Sequence, residues 1–403
     1  MTVLLSPAGD LGKLEYAVHY GADAVYIGAR SFGMRARAGN FSDDEIVQGV
    51  DLAHARHVKV YAALNIAAHN DDVGPMVACA KKLSGIGIDG LIIADPGILM
   101  SVRDSLPDMF ITLSTQANTT NFRSVQFWHE MGVNRIVLAR ELGITEIKHI
   151  CEMRPKGLEI EVFVHGAMCI SYSGRCLLSN YLVGRDSNKG DCAQPCRWEY
   201  VLSERSRREA HFPIEEDGKS SYILNSKYLC LIARIGELIN AGVDAFKIEG
   251  RMKSNYYTAC VTNAYRIAID RNKKGNRAWE DLYEELTKIS HRQYTEAFYS
   301  GPALGGAQDY LTGGYERDYV FAAEVLSDTD RDGLTKITQR NKFSTNDTLE
   351  KVTPGTLGTA FKLQSLYDAQ LNERYDAPHP EEVLFIKADG VTFKKHDIIR
   401  KKY

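Results

Sequence analysis

Five of the eight cysteines in this 403-residue chain fall between positions 169 and 230: Cys169, Cys176, Cys192, Cys196 and Cys230. They sit in the segments FVHGAMCISYSGRC, GDCAQPC and NSKYLC. Thiolates gathered this way, with no disulfide scaffold around them, are what an iron–sulfur cluster or a structural zinc requires. Zinc modules favour cysteine pairs with two to four intervening residues, and only CAQPC fits. A cluster tolerates wide, irregular spacing, because the fold rather than one short loop brings the thiolates together. Four of the five suffice for a 4Fe–4S centre. The competing reading, structural core cysteines, suits Cys176 and Cys192 poorly, since they lie among Gly, Arg, Asp and Gln. Cys79, Cys151 and Cys260 fall in helix-like segments and are expected to be buried bystanders.

The elements that must position these thiols are short β-branched runs. VLLSPAG (3–9), AVYIGAR (24–30), VYAALN (60–65), GLIIADPG (90–97), FITLSTQAN (110–118), RIVLAREL (135–142), IEVFVHGAM (160–168) and FKIEGRMKS (246–254) make a set of eight. Segments with apolar residues at three- and four-residue spacing lie between them, such as LGKLEYAVHYG and FRSVQFWHEMG. Strands alternating with amphipathic helices give a parallel sheet covered by helices, and eight units predict a closed (β/α)8 TIM-like barrel of the α/β class. A repeated phrase, GADAV (21–25), GIDGL (87–91), GVNRI (132–136) and GVDAF (242–246), places a glycine at each helix end before a strand. The cysteines occupy an insertion after the seventh strand, at 165–232. Active sites of such barrels form from the loops after the strands, so the insertion belongs at the working face.

Other polar residues cluster at the same ends: Arg35, Arg37, Asn65, Gln116, Asn118, Arg140, Glu141, His165, Glu249, Arg251 and Lys253. Guanidinium groups bind carboxylate and phosphate bidentately, so Arg35, Arg37, Gln116, Asn118, Arg251 and Lys253 are read as substrate-binding. His165, Glu141 and Glu249 are the candidate acids and bases; the two glutamates could equally neutralise the arginines. HExxH, GxSxG and paired-aspartate motifs are absent, and Cys169 with His165 makes a poor nucleophile–base pair.

The barrel is expected over 1–298, with NYYTACVTNAYRIAIDRNKKG as a helix closing it. A Gly-rich linker follows over 299–315. Polar-punctuated β segments then predict a small β-barrel domain over 316–403. The net charge of −3 gives no general attraction to nucleic acid. The C-terminal LFIKADGVTFKKHDIIRKKY carries six Lys/Arg against two Asp, and from charge alone reads as a solvated basic tail. With no signal-like N-terminus and no membrane-length apolar run, the expected address is cytoplasmic.

The phrases EVFVHGAMCISYSGRCLLSNYLVGRD, CRWEY and KIEGRMKSNYY are similar to the signature of the collagenase-like peptidase family of unassigned catalytic type. The similarity extends from LLSPAGDLGKLEYAVHYGADAVYIG to HRQYTEAFYSG and the C-terminal β-domain. Within the family, ALNIAAHN, ADPGILMSVR and STQANTTNFRSVQFWHEMGVNRIVLAREL resemble the prephenate-dependent tRNA uridine 5-hydroxylation proteins. The resemblance implies a tRNA-modifying enzyme hydroxylating the wobble uridine, with prephenate as co-substrate and a 4Fe–4S cluster. It implies Cys169, Cys176, Cys192 and Cys230 as ligands, Cys196 being the alternative fourth. It further implies tRNA as partner, and a paralogous protein or a second copy as a working companion. The basic C-terminal domain would suit the tRNA backbone. Tyr172, Trp198 and Tyr257 are candidates to stack on a base, against a core-packing role for each. The rival readings are a peptidase, a hydroxylase or assembly protein acting on another RNA or small substrate, and a non-catalytic RNA-binding protein.

Overall fold

In the computed structural model the described residues are 2–28, 41–198, 202–204, 207–212, 226–301 and 315–403. Eight parallel strands follow the expected order: β1 (Val3–Pro7), β2 (Ala24–Gly28), β3 (Lys59–Leu64), β4 (Gly90–Ile93), β5 (Phe110–Leu113), β6 (Arg135–Val137), β7 (Glu159–Ala167) and β8 (Ala245–Ile248). Each pairs with its neighbour, and β8 pairs with both β7 and β1, so the sheet closes into a barrel. The connecting helices begin where the sequence supplies caps. Ser42 and Glu45 form a capping box on the helix Asp43–His54, and Asp95 caps the helix Pro96–Ser105, which has proline in its first turn.

The repeated G-x-D/N phrase does more than end a helix. Gly21, Gly87, Gly132 and Gly242 all adopt positive φ, between 87° and 98°. Two residues later the Asp or Asn side chain accepts the backbone N–H that opens another strand. Asp23 takes Leu4, Asp89 takes Val60, Asn134 takes Ile111 and Asp244 takes Ile160, all at 2.7–2.8 Å. The backbone N–H of each acidic or amide residue returns a bond to the carbonyl of that same partner. Four clasps thus tie neighbouring strands together at the N-terminal rim, opposite the mouth that bears the cysteines.

Packing divides the chain into two compact units, one of residues 1–18, 22–253 and 292–315, the other of 19–21, 254–291 and 316–403. The helix expected to close the barrel, Asn255–Lys273, therefore packs in the second unit. Its buried residues run unbroken from Tyr256 to Tyr265, which leaves no wide polar face there, and such a helix must be enclosed. The same unit holds the helix Glu280–Thr287 and an antiparallel sheet whose six main strands are Tyr319–Val325, Thr335–Gln339, Thr348–Val352, Thr359–Tyr367, Val383–Ala388 and Ile398–Lys402. The third closes on the fourth to complete a second barrel. Part of the predicted basic tail is thus a core strand. Arg400 is fully buried, and its guanidinium is held by Glu285 at 2.7 Å and Glu350 at 2.6 Å. No helix among the described residues is long and apolar enough to cross a membrane.

Candidate cysteine-lined site

The mouth of the barrel at the C-terminal ends of its strands holds a cavity of about 180 Å³. Cys169, Cys176, Cys192 and Cys196 all line it, together with Arg140, Lys247, Glu249 and Arg251. Cys169 leaves β7 directly. The segment after it returns over the mouth, anchored by Arg140, which donates to the Ala167 carbonyl at 3.0 Å and to Ser173 Oγ at 2.7 Å. Ser187 Oγ donates to the Cys176 carbonyl at 2.5 Å, and Ser179 Oγ accepts from the Ala193 N–H at 2.9 Å. These bonds bind the insertion to itself and hold its thiols over one space. Burial pushes the Cys196 thiol up to about 11, and the nearby Cys169, Cys192 and Cys176 add to the rise against Arg197. Among the described residues no three His, Cys, Asp or Glu side chains gather as ligands of a single ion.

Cys230 is placed differently. It lies on the short strand Tyr228–Cys230, antiparallel to β7 and directly opposite His165, and neither residue lines the cavity. His165 is 1% exposed, with its ring 5.3 Å from that of Tyr294. Of the other acid–base candidates, Glu249 faces the cavity and receives the Tyr26 hydroxyl at 3.1 Å. Glu141 is not among the lining residues; burial raises its carboxyl despite the adjacent Arg140.

Of the predicted binding residues, Gln116 and Arg251 line the cavity. Gln116 Oε1 accepts from Asn65 at 2.5 Å and Ser114 at 2.6 Å. Asn118 turns away in a left-handed conformation and donates to the Gln116 carbonyl at 2.8 Å, holding that residue. Arg251 is placed by Gly9, where a Cβ would lie 2.0 Å from the Arg251 carbonyl oxygen. Lys253 stands outside the cavity, its ammonium 4.9 Å from the Tyr228 ring centre and 4.5 Å from that of Tyr315. Arg35 and Arg37 lie outside the described residues. Tyr172 and Trp198 are exposed, whereas Tyr257 is buried in the second unit, as core packing requires. Cys151 and Cys260 are likewise buried, and Cys79 is half-buried.

Sequence reasoning missed Lys247. It rises from the middle of β8 to the cavity floor, between the rings of Tyr26 (4.8 Å) and Phe163 (5.4 Å), and donates to Glu161 at 2.9 Å. Glu161 also meets Arg135 at 3.3 Å. The only signal was a lysine and a glutamate inside largely apolar strands, which does not say which way either side chain points.

A parallel eight-stranded barrel with a thiol-lined mouth, followed by an antiparallel six-stranded barrel, defines a two-barrel architecture with a candidate metal centre. The chain belongs to peptidase family U32: the family model matches residues 9–308, and the model of the family's C-terminal domain matches 317–400. Among relatives, tRNA hydroxylation protein P1 of Bacillus subtilis (strain 168) is 39% identical over 392 residues, covering 96% of this chain and 92% of its own. tRNA hydroxylation protein P of Escherichia coli (strain K12) is 39% identical, over 87% of this chain and 86% of its own. The 23S rRNA 5-hydroxycytidine C2501 synthase of Escherichia coli (strain K12) is 38% identical, over 66% of this chain and 39% of its own.

Proposed function

We propose that this chain is an RNA hydroxylase that installs the 5-hydroxyl of the wobble uridine in tRNA, using prephenate and a 4Fe–4S cluster. The observation that carries the reading is the joining of four cysteines and three cationic side chains in one cavity at the barrel mouth. The donor set fits a cluster: thiolates are its usual ligands, and a cubane holds them farther apart than a single ion does, because several irons lie between them. Cys169, Cys176 and Cys192 would hold three of its corners. The fourth falls to Cys230, as the resemblance implies, or to Cys196, which shares the cavity. Such a cluster, when bound, supplies one-electron redox chemistry.

The chain's own side chains do the rest. Arg140, Lys247 and Arg251 present cationic donors to a dicarboxylate such as prephenate. Glu249, held by the Tyr26 hydroxyl, is the carboxylate placed to take a proton at its Oε atoms. A cytoplasmic address follows for a tRNA-modifying enzyme.

The test is nucleoside mass spectrometry of tRNA from a host deleted for its own tRNA hydroxylation genes and supplied with this chain. Restored 5-hydroxyuridine, lost again when prephenate synthesis is blocked, is expected. Folded protein at normal abundance with no hydroxylated nucleoside would overturn the reading.

A further inference from the structure

Alternate residues of a strand face opposite ways, so the buried residues of the second barrel fix what its outside carries. Ile337, Leu384 and Ile386 lie in its core, which turns Lys336, Phe385 and Lys387 outward. On the strand Thr359–Tyr367, strict alternation from the buried Leu363 would send Tyr367 inward. A bulge intervenes: Leu363 pairs with Ala388 but Ser365 with Lys387, so Gln364 is an extra residue and the period resets. Leu366 then takes the core position, and Tyr367 emerges on the outside directly opposite Phe385. Lys336 stands opposite Phe385 from the other side. Lysine, phenylalanine and tyrosine thus form one row across three strands, with opposing side chains about 5 Å apart at Cβ.

We propose that this outer face binds an unpaired stretch of the RNA substrate, with Lys336, Lys362 and Lys387 on its phosphates and Phe385 and Tyr367 against its bases. The inference rests on the RNA reading above and adds the surface that holds the strand.

The charges are placed for an outside partner. Lys336 and Lys362 are exposed, and Lys387 is half-buried two residues along the strand from Phe385. Among the described residues none of these three ammonium groups has a carboxylate within ion-pair distance. Lys342, Lys394 and Lys401 of the same barrel meet aspartates at 3.7, 2.9 and 3.0 Å. Of the basic C-terminal segment, then, Lys394, Arg400 and Lys401 are committed to internal partners, and Lys387 is the member that joins this face. Glu373, opposite Tyr367, borders the row on that side. The whole chain carries a net charge of −3, so attraction to a polyanion has to come from a local group of this kind.

The rings decide which polyanion. Phe385 and Tyr367 are half-buried on the outer face, where they add nothing to a core already filled by Leu384, Ile386 and Leu366. Unpaired bases stack on such rings whatever their sequence, while neighbouring cations follow the backbone. An acidic peptide would satisfy the lysines but leave the paired rings without a role.

The test measures binding of an unmodified tRNA transcript to the full chain by fluorescence anisotropy over a series of salt concentrations. Lys336→Ala combined with Lys387→Ala should flatten the plot of log affinity against log salt by about 1.4, the equivalent of two phosphate contacts on a single strand. Lys342→Ala combined with Lys394→Ala removes the same charge from the same barrel and should leave the slope unchanged. Equal flattening by the two pairs would mean that net charge alone acts, and would overturn the inference. A transcript that binds the parent with a slope neither pair alters overturns it as well, and leaves the RNA reading standing. A transcript that does not bind the parent at all overturns both. A second measurement isolates the rings. Phe385→Leu keeps an apolar side chain but removes the ring, and should weaken binding about tenfold at unchanged slope. Unchanged affinity in a variant whose urea midpoint matches the parent's would overturn the contact with bases, and with it the unpaired strand.

Discussion

Lys247 donates to Glu161 at 2.9 Å inside the barrel, with side chains 6% and 0% exposed, and the same carboxylate meets Arg135 at 3.3 Å. Arg135 also pairs with Glu159 at 2.6 Å, so the network is two anions with two cations, and Glu161 is the carboxylate that both cations share. Glu161→Gln leaves Lys247 and Arg135 facing each other without their shared counter-ion. It should lower stability by about 3–5 kcal/mol, seen as a drop in the urea midpoint at unchanged slope. A midpoint within about 0.5 kcal/mol of the parent would show that the charges relax into solvent instead.

Tyr315 presents a different electrostatic case. Burial alone would push its phenol up, but the bond with Tyr228 and the charges of Lys253, Arg197 and Arg292 outweigh it and leave the group at about 8. The Tyr228 and Tyr315 hydroxyls stand 3.0 Å apart. A tyrosine in the unfolded chain ionises at about 10, so the folded state holds the phenolate more firmly. The resulting stabilisation is fully present above the unfolded value and disappears as pH falls through about 8. Ultraviolet difference titration should show one tyrosine ionising at about pH 8, well ahead of the others, and Tyr315→Phe should abolish that early step. An early step that survives the substitution would assign it to another phenol.

The rim clasps predict a stability effect far from the site. Asp89→Ala removes the acceptor for the Val60 N–H, whose bond is 2.7 Å. It should cost about 1–3 kcal/mol, as expected for a buried donor left unsatisfied. Thermal unfolding measures it, and tRNA affinity should not change, because the clasp lies at the rim opposite the cavity.

The barrel was legible in the sequence because two signals agreed. Short apolar runs such as AVYIG, at 24–28, marked the strands, and the repeated glycine marked the helix ends before them. The second role of Asp23, Asp89, Asn134 and Asp244 was not legible, since a side-chain bond to another strand depends on register. The destination of Asn255–Lys273 was also hidden. Its sequence shows that it must be buried, not which unit buries it. In the cavity lining, Cys169 and Arg251 were readable from position after a strand and Cys176, Cys192 and Cys196 from the insertion they share, whereas Cys230 does not line it. Lys247 was not readable, because one lysine in FKIEG gives no sign of whether it points into the barrel.

The thiols carry the last prediction, made on metal content rather than activity. Anaerobically purified protein should contain about four iron and four sulfide per chain, as a cubane requires. Cys176→Ala, which empties a position on the cavity, should abolish both, while far-ultraviolet circular dichroism stays unchanged. Cys196→Ser and Cys230→Ser, assayed in parallel, separate the two candidates for the fourth corner. Cys196 lines the cavity with the other three, whereas Cys230 is 6% exposed on the strand opposite His165. If Cys230 is the ligand, its short strand must shift toward the mouth when iron binds. Metal loading should then slow amide hydrogen exchange in residues 228–230. If Cys196 is the ligand, protection should rise around 192–197 and leave that strand as it was. Stoichiometric zinc in place of iron, or full iron in Cys176→Ala, would remove the cluster from the proposal and leave the cavity as a site for an anion alone.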